Sequence, residues 1–459
     1  MKLYINIVFA LIFSSVLASC STSDNESTPA PLYPQYGTRF EKMPKKENAI
    51  IYQVNIRAFS AAGDIKGVKD KLTYIQELGV NVIYLMPIYP VGVERSAGGL
   101  GSPYAVKDYK AVNPDFGTLQ DLRDLVDEAH AKNMAVVLDW VANHTAWDNA
   151  WITEHPDWYQ KDSNGNIIIP PGTNNNDVAQ LDFTNTEMRK AMIDAMSYWD
   201  YSANVDGFRC DYADFVPQNF WSEAITQLRS IKKTDLLLLA EGSRVNHFAA
   251  GFDYTFGFNF FSTLEKVFGE SKPATTLQDS NATEYANNYN SQNRVVRYTT
   301  NHDVNVSDGT PLELFGGKKG SIAAFVVAAY MNSVPMIYNG QEMGYASRID
   351  YFTRTPINWS TSDLDMLAEY KKIIAFRNSS NAIKTGTYSG FSSDAVSAFT
   401  METATEKVFV LSNLTNASVK YIVPVSLTKT AWKDGFTSAA LTSTTEIDLL
   451  PFQYMVLKN

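Results

Sequence analysis

Cysteine is scarce in this sequence, since the 459 residues include only two. Two cysteines cannot form a disulfide framework or a four-thiolate metal site. Histidine is also scarce: there are five, and no two of them have the His-x-x-x-His spacing of zinc hydrolases. The sequence therefore does not offer the set of metal ligands that a metal-dependent barrel hydrolase needs.

Basic residues are in deficit, with 39 Lys and Arg against 49 Asp and Glu, which gives a net charge of −10. An acidic chain repels the phosphate backbone, so we expect no nucleic acid partner. The remaining composition, with 45% hydrophobic and 19% charged residues, is that of a folded globular protein.

The longest apolar segment lies at the N-terminus. Residues 3–17 are almost wholly apolar and follow Lys2, but a membrane-spanning helix needs about 20 such residues. The segment therefore predicts an export signal that is removed on maturation. The ending Leu-Ala-Ser-Cys resembles the bacterial lipoprotein cleavage box, which implies a lipoprotein signal peptide over 1–19 and a lipid on Cys20. An ordinary signal peptide with an incidental cysteine is the alternative.

The resemblance to lipoproteins also implies a location. We expect an exported protein that is lipid-anchored to a bacterial membrane, the outer membrane, on its periplasmic or cell-surface side. Residues 20–38, rich in Ser, Thr, Asn and Pro, predict a flexible tether between the anchor and the folded part.

Strand and helix patterns alternate over residues 39–385. Segments with the apolar spacing of helices lie between seven short apolar segments. These seven predict strands at 50–54, 80–85, 134–138, 205–210, 236–240, 295–299 and 334–338. Repeated βα units predict a parallel sheet. A closed eight-stranded barrel and an open doubly wound sheet both fit this pattern. The dinucleotide-binding version is disfavoured because no glycine-rich turn follows the first strand.

Two segments depart from the alternation. Residues 144–180 are rich in Asn, Gly, Pro and Trp without helical spacing, which predicts an inserted subdomain after the third strand. Residues 386–459 contain short alternating runs separated by Thr, Ser and Asn, which predicts an all-β C-terminal domain.

Carboxylates follow the apolar strands at their C-terminal ends. Asp139, Asp211 and Glu241 each come directly after a predicted strand, and Asp303 follows another within four residues. Parallel barrels place their catalytic groups on this face, although any single acid of this kind is more often a helix cap. Four acids placed alike therefore favour a site.

Glycoside hydrolysis uses a pair of carboxyl groups: one attacks or stabilises the sugar, and the other protonates the leaving oxygen. Arg209 lies two residues before Asp211, so both side chains point to the same side of the strand. A guanidinium there would keep Asp211 ionised. The alternative is a buried ion pair that only stiffens the barrel.

These segments resemble the α-amylase family of glycoside hydrolases (family 13), in chain order. The sequences DWVANHT (139–145), GFRCD (207–211), Glu241 and NHD (301–303) are similar to the four sequence regions of the family. The resemblance covers about residues 45–385. It implies a (β/α)8 TIM barrel (39–385) with a short inserted subdomain after the third strand and a C-terminal β-sandwich domain (386–459).

The resemblance also implies a retaining double displacement on an α-glucan or maltooligosaccharide. Asp211 would be the nucleophile, Glu241 the acid and then the base, and Asp303 the group that stabilises the transition state. The residues that would bind the sugar are Tyr104, beneath the ring, and His144, Arg209 and His302, around it.

Two departures from the family pattern concern ligands. Where many α-amylases have a Lys-His pair after the nucleophile, this chain has Asp214 and Phe215. Asn143 matches a calcium ligand of the family, but Gln180 stands where an acidic ligand is common. Calcium is therefore compatible with the sequence, and no cofactor is required for the chemistry.

A third departure concerns the substrate. Residues 354–359 (RTPINW) resemble a motif of family members that act on short oligosaccharides or transfer glucose, which makes Arg354 a candidate sugar ligand. The insertion is shorter than in most of those relatives. An enzyme that cleaves starch-like glucans therefore leads, and an α-glucosidase or transglycosylase (a glucanotransferase or trehalose synthase-like enzyme) is the alternative. A dead glucan-binding lipoprotein is a remote third, because all three acids are present.

Aromatic residues are abundant, with 25 Phe, 25 Tyr and 8 Trp. Sugar faces are apolar and stack on flat rings without charge. Trp147 and Trp151 lie in the insertion that should line the cleft, so they are candidate sugar ligands. Alternatively, these rings form a small hydrophobic core of the insertion.

Overall fold

The computed structural model describes residues 33–231, 235–285, 293–441 and 445–459. The predicted signal peptide, Cys20 and the tether up to residue 32 lie outside these ranges. Within the described ranges, no helix has both the length and the apolar character needed to cross a membrane.

Eight parallel strands, β1 to β8 in chain order, form a closed barrel in which each strand pairs with the next and β8 pairs with β1. This confirms the predicted barrel and excludes the open sheet. The strands are Ile51–Val54 (β1), Val82–Leu85 (β2), Ala135–Trp140 (β3), Gly207–Cys210 (β4), Leu237–Ala240 (β5), Tyr254–Phe256 (β6), Arg294–Arg297 (β7) and Val334–Tyr338 (β8).

Helices connect the strands and continue after β8. They are Ile56–Phe59, Ile65–Lys69, Leu72–Glu77, Leu119–Ala131, Trp151–Glu154, Thr186–Ser202, Gln218–Ile231, Asn246–Ala250, Phe258–Gly269, Thr276–Tyr285, His302–Ser307, Pro311–Leu314, Gly317–Tyr330, Leu364–Ser379 and Asn381–Thr385. The helix Leu119–Ala131 begins with a capping box, in which Thr118 and Asp121 each accept a hydrogen bond from the other's backbone amide. Its buried residues recur at helical spacing, as the sequence predicts.

Strand register brings the predicted site residues together. Asp139 on β3 pairs with Arg209 on β4, and Arg209 pairs with Leu239 on β5. Asp211 and Glu241, which come directly after β4 and β5, therefore reach the same end of the barrel.

A glycine permits the close approach of β4 to β5. Gly207 has φ +151°, and a Cβ there would lie 1.8 Å from the carbonyl oxygen of Leu237. Only glycine fits, because any side chain would push the two strands apart.

The insertion opens and closes with a two-stranded antiparallel ribbon, in which His144–Ala146 pairs with Val178–Gln180. The helix Trp151–Glu154 and the 3-10 turn Pro156–Trp158 lie between the two strands.

The C-terminal part is antiparallel, in agreement with the predicted all-β domain. One sheet contains five strands, Thr387–Gly390, Val396–Glu402, Lys407–Asn413, Lys433–Asp434 and Tyr454–Lys458, and a second pairs Val419–Ile422 with Glu446–Leu449. Side chains from both sheets, among them Phe409 and Tyr421, share one hydrophobic cluster.

Candidate active site

A cavity of about 690 Å³ opens at the C-terminal end of the barrel strands. Six of the residues that the sequence predicts for the site line it: Tyr104, His144, Asp211, Glu241, His302 and Asp303. A larger cavity of about 1090 Å³ lies near the starts of β5, β6 and β7, and none of the predicted site residues lines it. The predicted chemistry is therefore concentrated at one end of the barrel.

Arg209 connects three carboxylates. Its guanidinium is fully buried, and Nη1 donates to Oδ1 of Asp139 at 2.7 Å and to Oδ1 of Asp211 at 3.0 Å. Nη2 donates to Oε1 of Glu241. One cation thus fixes the position of two acids that line the cavity and of one that lies behind them.

Asp139 is the acid behind the cavity. Its Oδ2 accepts hydrogen bonds from the hydroxyl groups of Tyr84, at 2.6 Å, and Tyr104, at 2.9 Å. Both oxygens of this buried carboxylate are therefore occupied, so Asp139 orients Arg209 and Tyr104. The sequence motif contains Asp139 but gives no indication of these two tyrosine contacts.

Burial raises the pKa of Glu241 to about 7; Arg209 opposes this rise and Asp303 adds to it. Burial and the charge of Glu241 also raise the pKa of Asp211. Because the charge of Glu241 contributes to the rise at Asp211, the titrations of the two carboxyl groups are linked. The pair therefore retains a proton at a pH at which isolated carboxyl groups are ionised.

The two histidines of the cavity are neutral at neutral pH. Burial lowers the pKa of His144 to about 4 and lowers the pKa of His302 as well. The amide nitrogen of Gln53 donates to Nδ1 of His302 at 2.9 Å, so Nε2 carries the hydrogen and donates to the hydroxyl of Tyr104 at 2.6 Å. The hydroxyl of Tyr104 therefore accepts from His302 and donates its own hydrogen to Asp139.

Asp303 is the most exposed of the three predicted catalytic acids, with half of its side chain accessible. It lies in the first turn of the helix His302–Ser307, which the side chain of Asn301 caps by accepting from the amides of Asp303 and Val304. Oδ1 of Asp303 lies 3.4 Å from Nε2 of His302. The helix thus presents Asp303 to the cavity opposite the Arg209 cluster.

Asp214 ties the loop after β4 to the loop after β5. Its Oδ1 lies 2.6 Å from Nε2 of His247, and its carboxylate accepts from the amides of Ser243 and Arg244. A Cβ at Gly242 would lie 2.4 Å from Oδ1 of Asp214, so the two loops meet only because residue 242 is glycine. Asp214 thereby holds the segment that carries Glu241.

Asn143 does not offer a cation site. The Gln180 amide nitrogen donates to three oxygens: the carbonyl oxygen and Oδ1 of Asn143, at 3.0 and 3.2 Å, and the carbonyl oxygen of Leu181, at 3.0 Å. Nδ2 of Asn143 returns a hydrogen bond to Oε1 of Gln180 at 3.1 Å. The oxygens that a calcium ion would need are used by a neutral amide, so these residues do not fit the ion.

Four predicted sugar ligands do not line the cavity: Arg209, which is fully buried, Trp147, Trp151 and Arg354. Trp151 is half-buried and packs against Tyr109 and Trp158, with ring centroids 5.2 and 5.0 Å apart. The ring of Trp147 is covered by the guanidinium of Arg95 at 3.7 Å. Arg354 is exposed and lies beside Gly63.

Several residues that line the cavity are absent from the sequence analysis. Tyr351 and Phe352 lie in the loop after β8, and Phe258 begins the helix after β6. Their sequence positions carry no motif. Placement after a barrel strand is the only signal that could have found them.

Comparisons with known proteins agree with this geometry. Residues 22–177 and 173–427 match the family model of the α-amylase catalytic domain. Alpha-amylase 2 of Dictyoglomus thermophilum is 27% identical over 416 residues, which cover 84% of this chain and 70% of that protein. Neopullulanase 2 of Thermoactinomyces vulgaris is 27% identical over 441 residues, covering 86% and 71%. The crystal structure of an alpha-amylase from Lactobacillus plantarum superimposes with a TM-score of 0.80 at 26% identity, covering 90% and 99%.

Proposed function

The chain belongs to the α-amylase family of glycoside hydrolases, and on that basis we propose that it cleaves α-glucosidic bonds of starch-like glucans or maltooligosaccharides with retention of the anomeric configuration. The observation that carries this proposal is the shared contact of Arg209 with Asp211 and Glu241. Carboxyl groups that bond the two nitrogens of one guanidinium lie close together. Retaining enzymes place them about 5–5.5 Å apart, whereas inverting enzymes leave room for a water between them.

Cleavage begins with proton transfer from Glu241 to the glycosidic oxygen. The bond between that oxygen and the anomeric carbon breaks, and Asp211 forms an ester bond to the carbon. Water then attacks the same carbon, its proton passes to Glu241, and the ester bond to Asp211 breaks. Asp303 faces the cavity and stabilises the positive charge that develops on the sugar ring.

Neutral groups position the sugar. His144, His302 and the hydroxyl of Tyr104 line the cavity without charge at neutral pH. Such groups suit hydroxyl groups, which are neutral donors and acceptors. The presence of all three acids in one cavity argues against a catalytically dead glucan-binding protein.

Transfer to a second sugar instead of water is the alternative activity. The RTPINW motif does not support it, because Arg354 lies outside the cavity. The apolar pair Tyr212 and Phe215 beside Glu241 does favour it.

We further propose that calcium is not required at Asn143. The hydrogen bonds of the Gln180 amide to three oxygens support this. The amide nitrogen of Gln180 bonds the oxygens of Asn143 that a cation would otherwise bind. This contact joins the two ends of the insertion without an ion.

We also propose that the protein is a lipoprotein anchored through Cys20 to the outer membrane, on its periplasmic or cell-surface side. The support is the sequence Leu-Ala-Ser-Cys after a short apolar segment. An anchored hydrolase would act on glucan outside the cytoplasm.

Substitution of the acids tests the reaction. Asp211→Asn should lower kcat on maltooligosaccharides by about four orders of magnitude, and Glu241→Gln by about two to four. Asp70→Asn, an exposed acid paired with Lys66, is the control and should keep the parent activity. Kinetics would be read with proton NMR of the first product. Activity surviving in Asp211→Asn, or a β-anomer as the first product, would refute the mechanism.

The pH profile tests the acid. Above about pH 7, Glu241 loses the proton that the glycosidic oxygen needs, so kcat/KM for maltooligosaccharides should fall. With α-maltosyl fluoride the leaving group needs no proton, so the alkaline fall should weaken or move to higher pH. The same alkaline limb with both substrates would show that the titrating group is not the acid.

Calcium removal tests the amide contact. EDTA should change the midpoint of thermal unfolding by no more than about 2 °C. Gln180→Glu keeps the shape but sets a carboxylate against three oxygens, which should cost about 3 kcal/mol of unfolding free energy that added calcium restores. A bound calcium ion in the parent by elemental analysis, or a marked loss of its stability in EDTA, would contradict the proposal.

Labelling tests the anchor. With radioactive palmitate in a Gram-negative host, the parent should carry label and appear in the outer-membrane fraction. Cys20→Ala should lose both the label and the membrane association. An unlabelled parent protein in the soluble fraction would instead favour an ordinary signal peptide.

A further inference from the structure

Asp214 lines the cavity, but the double displacement does not use it. It lies in the 3-10 turn Ala213–Phe215 that follows β4. Its oxygens accept three hydrogen bonds from the loop after β5: Oδ1 from Nε2 of His247 at 2.6 Å and from the amide of Arg244 at 3.4 Å, and Oδ2 from the amide of Ser243 at 3.2 Å. The carboxylate is therefore directed at the neighbouring loop and not at the reacting atoms.

His247 is the buried member of this contact. Its side chain is 3% exposed, and Nδ1 has no hydrogen-bond partner in the part of the chain that the structure describes. A hydrogen on Nδ1 would be buried without an acceptor, so the ring carries its hydrogen on Nε2 and donates it to Asp214.

Asp214 is an ionised acceptor. Burial opposes its ionisation, but the hydrogen bonds from His247 and from the amide of Ser243 outweigh burial and hold the pKa of Asp214 below its ordinary value. Arg244 is a second cation beside it, with Nε 3.9 Å from Oδ1, but the side chain of Arg244 is 58% exposed. His247 is therefore the closer and better shielded partner of the carboxylate.

The contact lies directly beside the acid in the sequence. Gly242 follows Glu241, and a Cβ at Gly242 would lie 2.4 Å from Oδ1 of Asp214 and 2.6 Å from Nε2 of His247. Contacts this short do not occur between real atoms, so any side chain at residue 242 would displace the pair. The two loops therefore meet at the residue next to Glu241.

The turn after β4 also bonds Glu241 itself. The amide of Tyr212 donates to Oε2 of Glu241 at 2.8 Å, and the amide of Ala213 donates to its carbonyl oxygen at 3.0 Å. Tyr212 has a left-handed backbone conformation (φ 51°, ψ 34°), which residues other than glycine adopt rarely. Such a conformation persists only where surrounding contacts hold it. The bonds of Asp214, two residues further along, supply contacts of this kind.

The amide of Tyr212 acts on the charged form of Glu241. Burial raises the pKa of Glu241 most, whereas this amide lowers it, because a hydrogen bond to a carboxylate favours the ionised form. Loss of this amide contact should therefore raise the pKa of Glu241 further. The titratable groups whose charges interact with Glu241 are Arg209, Asp211, Asp139, Asp303, Tyr84, Tyr212 and Tyr298.

We propose that Asp214 and His247 are positioning residues for the acid: by joining the loops after β4 and β5, they keep the amide of Tyr212 on Glu241 and determine how firmly the acid holds its proton. This rests on the proposed double displacement, in which Glu241 is the acid. The pair contacts no reacting atom and acts through the backbone of residues 212–214 and 241–244.

Asp214→Asn tests this role. Asparagine keeps the shape, but its amide group sets hydrogens against one of the donors that the carboxylate accepts from, so the contact between the loops should weaken. With maltooligosaccharides, kcat should fall about tenfold while KM stays within about twofold. The alkaline limb of kcat/KM should move up by about one pH unit, the loss of one hydrogen bond to a charged group.

A substrate that needs no acid separates positioning from general damage. With enzyme in excess over α-maltosyl fluoride, Asp214→Asn should release fluoride at a rate within about threefold of the parent, because fluoride leaves without a proton. His247→Gln places a donor nitrogen near the position of Nε2 and should keep the parent alkaline limb. His247→Leu removes the donor and should behave like Asp214→Asn, which keeps the test open if the asparagine variant does not fold.

His130→Leu is the matched control. His130 is also buried and its Nε2 lies 2.7 Å from Oδ2 of an acid, Asp206, but this pair lies before β4 and does not line the cavity. Its loss should lower the midpoint of thermal unfolding and leave the alkaline limb unchanged. An unshifted limb in Asp214→Asn and His247→Leu, or an equal loss of rate on both substrates, would overturn the positioning role. A parent that neither cleaves maltooligosaccharides nor releases fluoride would instead overturn the proposed function.

Discussion

The buried guanidinium of Arg209 is the contact on which the active site depends. Three strands supply its partners, because Asp139, Asp211 and Glu241 sit at the ends of β3, β4 and β5. A buried carboxylate is costly unless it is paired and hydrogen-bonded. Arg209 meets this condition for three acids at once, so strand register, loop position and protonation are determined together. The glycine at 207 matters for the same reason, since it allows β4 and β5 to approach.

Burial is the main cause of the raised pKa values of Glu241 and Asp211; neighbouring carboxylates add to the rise and Arg209 opposes it. Burial changes the pKa values of His144 and His302 in the opposite direction: it lowers them and keeps both side chains neutral. Burial therefore favours the protonated form of the two acids and the neutral form of the two histidines in the same cavity. The net charge of −10 on the whole chain has little bearing on a neutral glucan.

The sequence contained most of this arrangement in the acids that follow apolar strands, since a closed parallel barrel brings such positions together. It did not reveal β6, because three residues, Tyr254–Phe256, are too short for a periodic pattern. Nor did it separate rings of the cavity from rings of the core: Trp151 is packed among Tyr109 and Trp158, while Phe215 is exposed. Composition gives the number of aromatic rings, but the exposure of each ring depends on how the loops pack against one another. The contacts of Asp214 and Gln180 were hidden for the same reason, because their partners are remote or lie in the backbone.

The departures from the family pattern have a common physical character. At Gln180 a neutral amide stands where an acidic ligand is common, and Asp214 stands where a lysine is common. Both side chains join two loops through contacts inside the chain. Gln180 bonds Asn143 across the insertion, and Asp214 bonds His247 and the amides after Glu241. These contacts hold the loops that carry His144 and Glu241, so the site places its acids beside neutral histidines, which suit the hydroxyl groups of a glucan.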